Sequence, residues 1–212
     1  PAHTAKMAAV LQLLTGGRLI LGIGAGWKDD EYRAYGWAYP DARTRIEQLE
    51  ETAEIIRRMW TQSPASYAGR HYSIREAHCE PRPDPAPPLM IGGGGERLTL
   101  RVAARHADWW NANFITPEEL KHKLGVLRSH CKAVARDFAN LKITYFGFVN
   151  LTGKPSGRTD LHVIESTPAA VLQELQAHAA LGVSHFILRF TDFPSLAGLE
   201  AFMDKVLPHI QS

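Results

Sequence analysis

Four consecutive glycines, Gly92 to Gly95, stand in "LMIGGGGERLTLRVAARHADWW" (residues 89–110), between an apolar run and a helical pattern. Glycine loses more backbone freedom on folding than any other residue, so a run of four calls for a reason. A strand, a glycine loop and a helix starting near Glu96 or Arg97 would together offer main-chain N–H groups and a positive helix end to an anion. Arg97 adds a guanidinium suited to charge-assisted hydrogen bonds, while Glu96 competes for the same donors. The plainer reading is a tight turn, but a turn needs only one or two glycines.

A second glycine segment, "LGIGAGWKDDEY" (21–32), holds Gly22, Gly24 and Gly26. The spacing is G-x-G-x-G, not the G-x-G-x-x-G of dinucleotide-binding turns. Asp29, Asp30 and Glu31 follow at once and put negative charge where a pyrophosphate would need a helix N-terminus. A nucleotide phosphate is rejected here. Glycines at the carboxyl end of a barrel strand can instead leave room for a flat ring against the backbone, and close strand–helix packing explains them equally well.

No residue declares itself a proton donor. Glu31, His106 and Asp108 are candidates, each with a bland rival: a solvated first-turn acid, a histidine on a helix dipole, and a cap or partner for Arg105. Asn111 sits at a strand end beside Trp109 and Trp110 and is a candidate ligand-facing residue. At least one of the two tryptophans belongs to the core, because adjacent strand residues face opposite sides. The histidines show no metal-ligand spacing, and neither HExxH, GxSxG nor a P-loop occurs. Cys131, in mid-helix, reads as packing.

These residues need elements to position them. Met7, Val10, Leu11 and Leu14 mark a helix over 3–15, stopped by Gly16-Gly17. "RLILGIG" (18–24) reads as a strand buried on both faces. Residues 41–60 read as a helix capped by Asp41, with Ile46, Leu49, Ala53, Ile56 and Trp60 on its inner face. A hairpin is expected over 65–74, and five prolines within 80–88 make an extended crossing. Further strands are read at 89–91, 107–114, 141–151 and 184–190. Further helices are read at 96–106, 117–138 (capped by Thr116), 168–181 and 195–207. Buried strands alternating with helices imply a parallel α/β sheet with right-handed crossovers, in one domain over 1–212.

Composition narrows the function. With 212 residues, 45% hydrophobic and 22% charged, the chain is expected to fold around a sizeable core. A net charge of +2, with no basic run, gives no case for nucleic acid but suits an anionic small molecule. No membrane-length apolar run or signal peptide is present, and Cys79 and Cys131 form no disulfide framework, so a cytoplasmic location is expected. The chain begins at Pro1 inside what reads as a helix already under way, and its N-terminus reads as cut.

The stretches "GGRLILGIGAGWKDDEYRAYG", "RIEQLEETAEIIRRMW" and "YAGRHYSI…EPRP…PPLMIGGGGERLTLRVAARHADWWN" resemble the luciferase-like monooxygenase superfamily, and within it the branch that uses the deazaflavin coenzyme F-420. The resemblance implies a (β/α)8 TIM barrel, here lacking its first three strands. It implies a cofactor phosphate on Gly93, Gly94, Gly95 and Arg97, a cofactor ring near Gly24, Ala25 and Gly26, and Trp27 on the substrate side; Asn111, from its place at the strand end, is expected among the cofactor contacts. Relatives acting on sugar phosphates carry a glutamate where Trp27 stands, so that reaction is not implied. Three functions follow as expectations: hydride transfer between F-420 and a small organic substrate, an FMN-dependent monooxygenase, or a non-catalytic truncated barrel. Barrels of this family pair through helices of their N-terminal half, so a homodimer using residues 3–15 is expected.

Overall fold

Helical and strand periods divide the chain much as the sequence predicts. In the computed structural model, which describes residues 1–210, they form two compact units. The first comprises residues 1–110 and 130–141, the second residues 111–129 and 142–210.

In the first unit, α1 (Ala2–Leu14) leads into β1 (Leu21–Ile23), a short acidic helix α2 (Asp29–Ala34) and the long α3 (Ala42–Thr61). Asp41 caps α3 by accepting from the Thr44 N–H at 3.0 Å. An antiparallel hairpin, β2 (Ala65–Ala68) and β3 (Ser73–Ala77), follows. The proline crossing then delivers β4 (Leu89–Gly92) parallel to β1. After it come α4 (Thr99–His106) and β5 (Trp109–Asn113), whose last three residues belong to the second unit.

The core of this unit is the meeting of α1 and α3. Ala5, Ala8 and Ala9 lie against Ile55, Ile56, Met59 and Trp60, and the Trp60 indole donates to the Ala5 carbonyl at 3.0 Å. The apolar stripe read from the sequence is therefore not the buried one. Met7, Val10, Leu11 and Leu14 are exposed, while alanines and Gln12 face inward. Small side chains allow the close backbone approach that the Trp60 hydrogen bond requires, which larger ones would prevent. Gln12 is buried because its amide is used at both ends, donating to the Pro85 carbonyl at 2.9 Å and accepting from the Leu19 N–H at 3.1 Å. The strand at 18–24 is shorter than expected and is not buried on both faces: Leu21 and Ile23 are half-buried and Gly22 is exposed.

In the second unit, α5 (Pro117–Ala133, its last four residues in the first unit) opens with a capping box. Thr116 Oγ1 accepts from the Glu119 N–H, and Glu119 accepts from the Thr116 N–H. The helix stops five residues before the expected 138, where Ala135 turns to φ 53° and the Arg136 N–H reaches back to the Cys131 carbonyl. The strand β6 (Lys142–Asn150) is flanked in parallel by β7 (Val163–Glu165) and β8 (Val183–Phe190). Between the last two lies α6 (Pro168–Ala180), with α7 (Ala197–Lys205) and α8 (Leu207–Ile210) at the end. The sequence reading did not include α2 or β7, both too short to show a period. Among the described residues no helix is long and apolar enough to cross a membrane.

On the α6 face of β6, Tyr145 is fully buried with its ring 4.2 Å from that of His178. Its hydroxyl has no hydrogen-bond partner among the described residues, and burial pushes its pKa up. A buried hydroxyl without a partner costs stability, whereas the ring contributes to it. Tyr145→Phe should therefore leave the urea-unfolding free energy unchanged or raise it by about 1 kcal/mol, and Tyr145→Ala should lower it by about 3 kcal/mol or more.

Candidate functional site

Parallel pairing brings the two glycine segments together. With Leu21 opposite Leu89 and Ile23 opposite Ile91, Gly24–Gly26 and Gly92–Gly95 leave the same, carboxyl, end of β1 and β4. A Cβ on Gly24 would stand 3.8 Å from the Gly92 carbonyl oxygen.

The glycine loop is pinned from beneath. Gly93 has φ 117°, strained for any other residue, and its carbonyl accepts from the Trp110 indole at 2.9 Å. A Cβ on Gly95 would lie 2.9 Å from Thr99 Oγ1, closer than side chains tolerate. The Glu96 carbonyl accepts from His130 Nε2 at 2.7 Å. The helix expected at Glu96 or Arg97 begins instead at Thr99, after a turn over 96–98. The Leu100 N–H spans that turn to the Gly95 carbonyl at 3.0 Å. Among the described residues the main-chain N–H groups of Gly95 and Arg97 make no hydrogen bond, and the exposed Arg97 guanidinium has no partner. Backbone donors and one free cation beside a loop that admits no Cβ at Gly93 or Gly95 fit an anionic group such as a phosphate.

Gly26, at φ 75°, leaves no room for a side chain because a Cβ would run into the Tyr32 phenol. Trp27 is 80% exposed, and its carbonyl accepts from the Tyr39 hydroxyl at 3.0 Å. Tyr32 stacks edge-on with Tyr39 and Trp37, and Arg45 lies 4.0 Å over the Tyr39 ring. The sequence reading missed this aromatic cluster, although the spacing in "EYRAYGWAY" carries it. It missed His130 too, because its role depends on Glu96, distant in the chain.

The candidate acids lie elsewhere. Glu31 is exposed and pairs with Lys28 at 3.6 Å. Asp108 accepts from the Leu89 N–H at 2.8 Å and pairs with Arg57 at 2.6 Å, not with Arg105 as the sequence suggested. Leu89 opens β4, so Asp108 works at the strand end opposite the glycine loop. Arg105 goes to Glu50 at 2.6 Å, and His106 stands 3.8 Å from both Glu50 and Glu54. His106 and Arg105 hold Glu50 down to about 2, against burial that pushes it up. Asn111 lies in the second unit, buried, accepting from Thr144 Oγ1 at 2.7 Å and donating to Asn113 at 2.8 Å. Trp110 is buried and Trp109 half-buried. Cys79 and Cys131 are buried and free, and burial raises both thiols. Among the described residues no three His, Cys, Asp or Glu side chains come together in a metal-binding arrangement.

Parallel strands with glycine segments at their carboxyl ends are the layout in which TIM barrels place their ligand sites. The chain belongs to the luciferase-like monooxygenase family, whose model matches residues 1–180. It is 31% identical over 150 residues to an FMNH(2)-dependent dimethylsulfone monooxygenase of Pseudomonas putida, a match covering 70% of this chain and 40% of that protein. It is 32% identical over 108 residues to an F420-dependent glucose-6-phosphate dehydrogenase of Amycolatopsis mediterranei, covering 51% of this chain and 32% of that one. The solved F420-dependent secondary alcohol dehydrogenase, in complex with an F420-acetone adduct, shares the fold with a TM-score of 0.85 at 16% identity, over 100% of this chain and 76% of its own. The chain thus spans two-fifths or less of these two sequence relatives, and the fold is that of the luciferase-like TIM barrels.

Two outcomes test the framework. Glu50, held below its ordinary value, contributes stability that is complete above about pH 4.5 and lost as pH falls toward about 2. Glu50→Gln should therefore lower unfolding free energy by about 2 kcal/mol at pH 7, a difference that closes on acid titration. Trp110→Phe, which keeps a ring but removes the donor to Gly93, should cost about 1–2 kcal/mol in thermal unfolding.

Proposed function

We propose that this chain is part of a deazaflavin-dependent oxidoreductase that moves a hydride between coenzyme F-420 and a small organic substrate. The observation carrying this reading is the emergence of both glycine segments from one end of the β1–β4 pair, with the Gly95 and Arg97 N–H groups unpaired. In this reading Gly93, Gly94, Gly95 and Arg97 hold the phosphate, Gly24, Ala25 and Gly26 form the floor near the ring, Asn111 joins the cofactor contacts, and Trp27 faces the substrate. The deazaflavin supplies the hydride chemistry when bound; the protein supplies position and shelter from water. Arg97 supplies the positive charge at the phosphate, and Tyr32 and Tyr39 brace the segment that carries Trp27. Glu31 is tied up on the surface and Asp108 at the opposite strand end, so the proposal assigns neither of them a proton.

One observation favours FMN in place of F-420: the dimethylsulfone monooxygenase relative matches more of this chain than the dehydrogenase does. Fluorescence titration with F-420, repeated with FMN as competitor, decides between them. Micromolar binding of F-420 that Gly94→Asp weakens at least a hundredfold supports the reading. FMN preference makes the chain a monooxygenase, and binding of neither by the folded chain makes it a non-catalytic barrel piece.

A homodimer is part of the proposal. The exposed Met7, Val10, Leu11 and Leu14 stripe supports it, because apolar faces of this kind mark interfaces. Light scattering should give twice the chain mass, and Leu11→Glu with Leu14→Glu should return the monomer. A reducing, cytoplasmic setting suits the two free buried cysteines.

A further inference from the structure

A cavity of about 250 Å³ opens in the second unit, lined by Phe148, Ser156, Arg158, Arg189, Thr191 and neighbouring phenylalanines. It lies near the carboxyl ends of β6 and β8, where Phe148 and Arg189 are register partners. Tyr145 meets His178 of α6, so by strand alternation Phe146 and Phe148 take the opposite face. There they form an aromatic row with Phe114, whose ring stacks on Phe148 at 5.2 Å.

Two guanidiniums stand over this row. Arg158, returned by the loop after β6, lies 4.6 Å from the Phe148 ring centroid, and Arg189 lies 5.5 Å from it. The acids nearby supply one counter-charge, to Arg158, and none to Arg189. Asp160 takes the Arg158 guanidinium as a fork, Nε to Oδ1 and Nη2 to Oδ2 at 3.4 Å each, on an exposed loop. Glu165 is occupied by Asn150 and the Ser156 N–H, and Asp192 by the Gly198 N–H. The Arg189 guanidinium has no hydrogen-bond or ion-pair partner among the described residues. Two like charges against one ring, with a single counter-charge on the solvent side of Arg158, leave a positive excess over an apolar floor. A planar guanidinium fork matches a carboxylate, and an aromatic floor matches a flat ring.

We propose that Arg158 and Arg189, held over Phe148, form a subsite for the acid group of a small aromatic carboxylate. Calling that acid a substrate rests on the oxidoreductase reading; its binding does not.

Calorimetric titration of the full chain with benzoate, benzyl alcohol and inorganic phosphate tests the proposal. Benzoate should bind in the millimolar range, at least tenfold tighter than benzyl alcohol of the same shape, and more weakly as salt rises. R158Q and R189Q should each weaken benzoate about tenfold and leave benzyl alcohol unchanged. Equal affinity for acid and alcohol overturns the proposal, as does unchanged benzoate affinity in both variants. Phosphate binding as tightly as benzoate overturns the aromatic part. The first comparison uses the unmodified chain and so does not depend on a variant folding. A chain that binds benzoate but neither F-420 nor FMN refutes the cofactor reading and leaves this subsite standing.

Discussion

Asp108 and Trp110 grip β4 from its two ends. The Asp108 carboxylate takes the Leu89 N–H where the strand begins, and the Trp110 indole takes the Gly93 carbonyl just beyond where it ends. Between them β4 is held in register with β1. The glycine loop depends on that grip. Its glycines have no side chains of their own to hold them, so Trp110 and His130 hold the backbone from outside. A loop so constrained can present main-chain donors without reorganising when an anion arrives.

The same division of labour explains where charge is spent. The acids and bases of the first unit gather on the side of α3 and α4, where Glu47, Glu50, Glu51 and Glu54 each meet an arginine, a histidine or main-chain N–H groups. Glu51 alone accepts from the N–H groups of Arg70, His71 and Tyr72 and so shapes the hairpin turn. This network serves the scaffold. At the glycine end the polar groups are instead left uncommitted: the N–H groups of Gly95 and Arg97, and the Arg97 side chain. The second unit repeats the contrast, with His162 paired to Glu174 on one side and Arg189 without an ionic partner at the strand ends.

Much of this was legible in advance. Asp41, Thr116 and Thr167 cap the helices that follow them, and Gly182, at φ 101°, closes α6, because capping and turn chemistry act within a few residues. The glycine segments were found for the same reason. The Asp108 pairing was misread because an arginine three residues away in sequence lay nearer on paper than Arg57, which arrives from another helix. The start of α4 was placed too early because nothing local distinguishes a turn over 96–98 from a first helical turn.

The sequence by itself determined the alternation of strands and helices, their caps, and the presence of two glycine-rich segments, since all of these are local properties of the chain. Tertiary structure decided the rest. It buried the alanine face of α1 rather than the leucine face, because the approach of α3 left room only for small side chains. It set the two glycine segments side by side and Asp108 at the far strand end, because parallel pairing aligns strand directions that no single segment specifies.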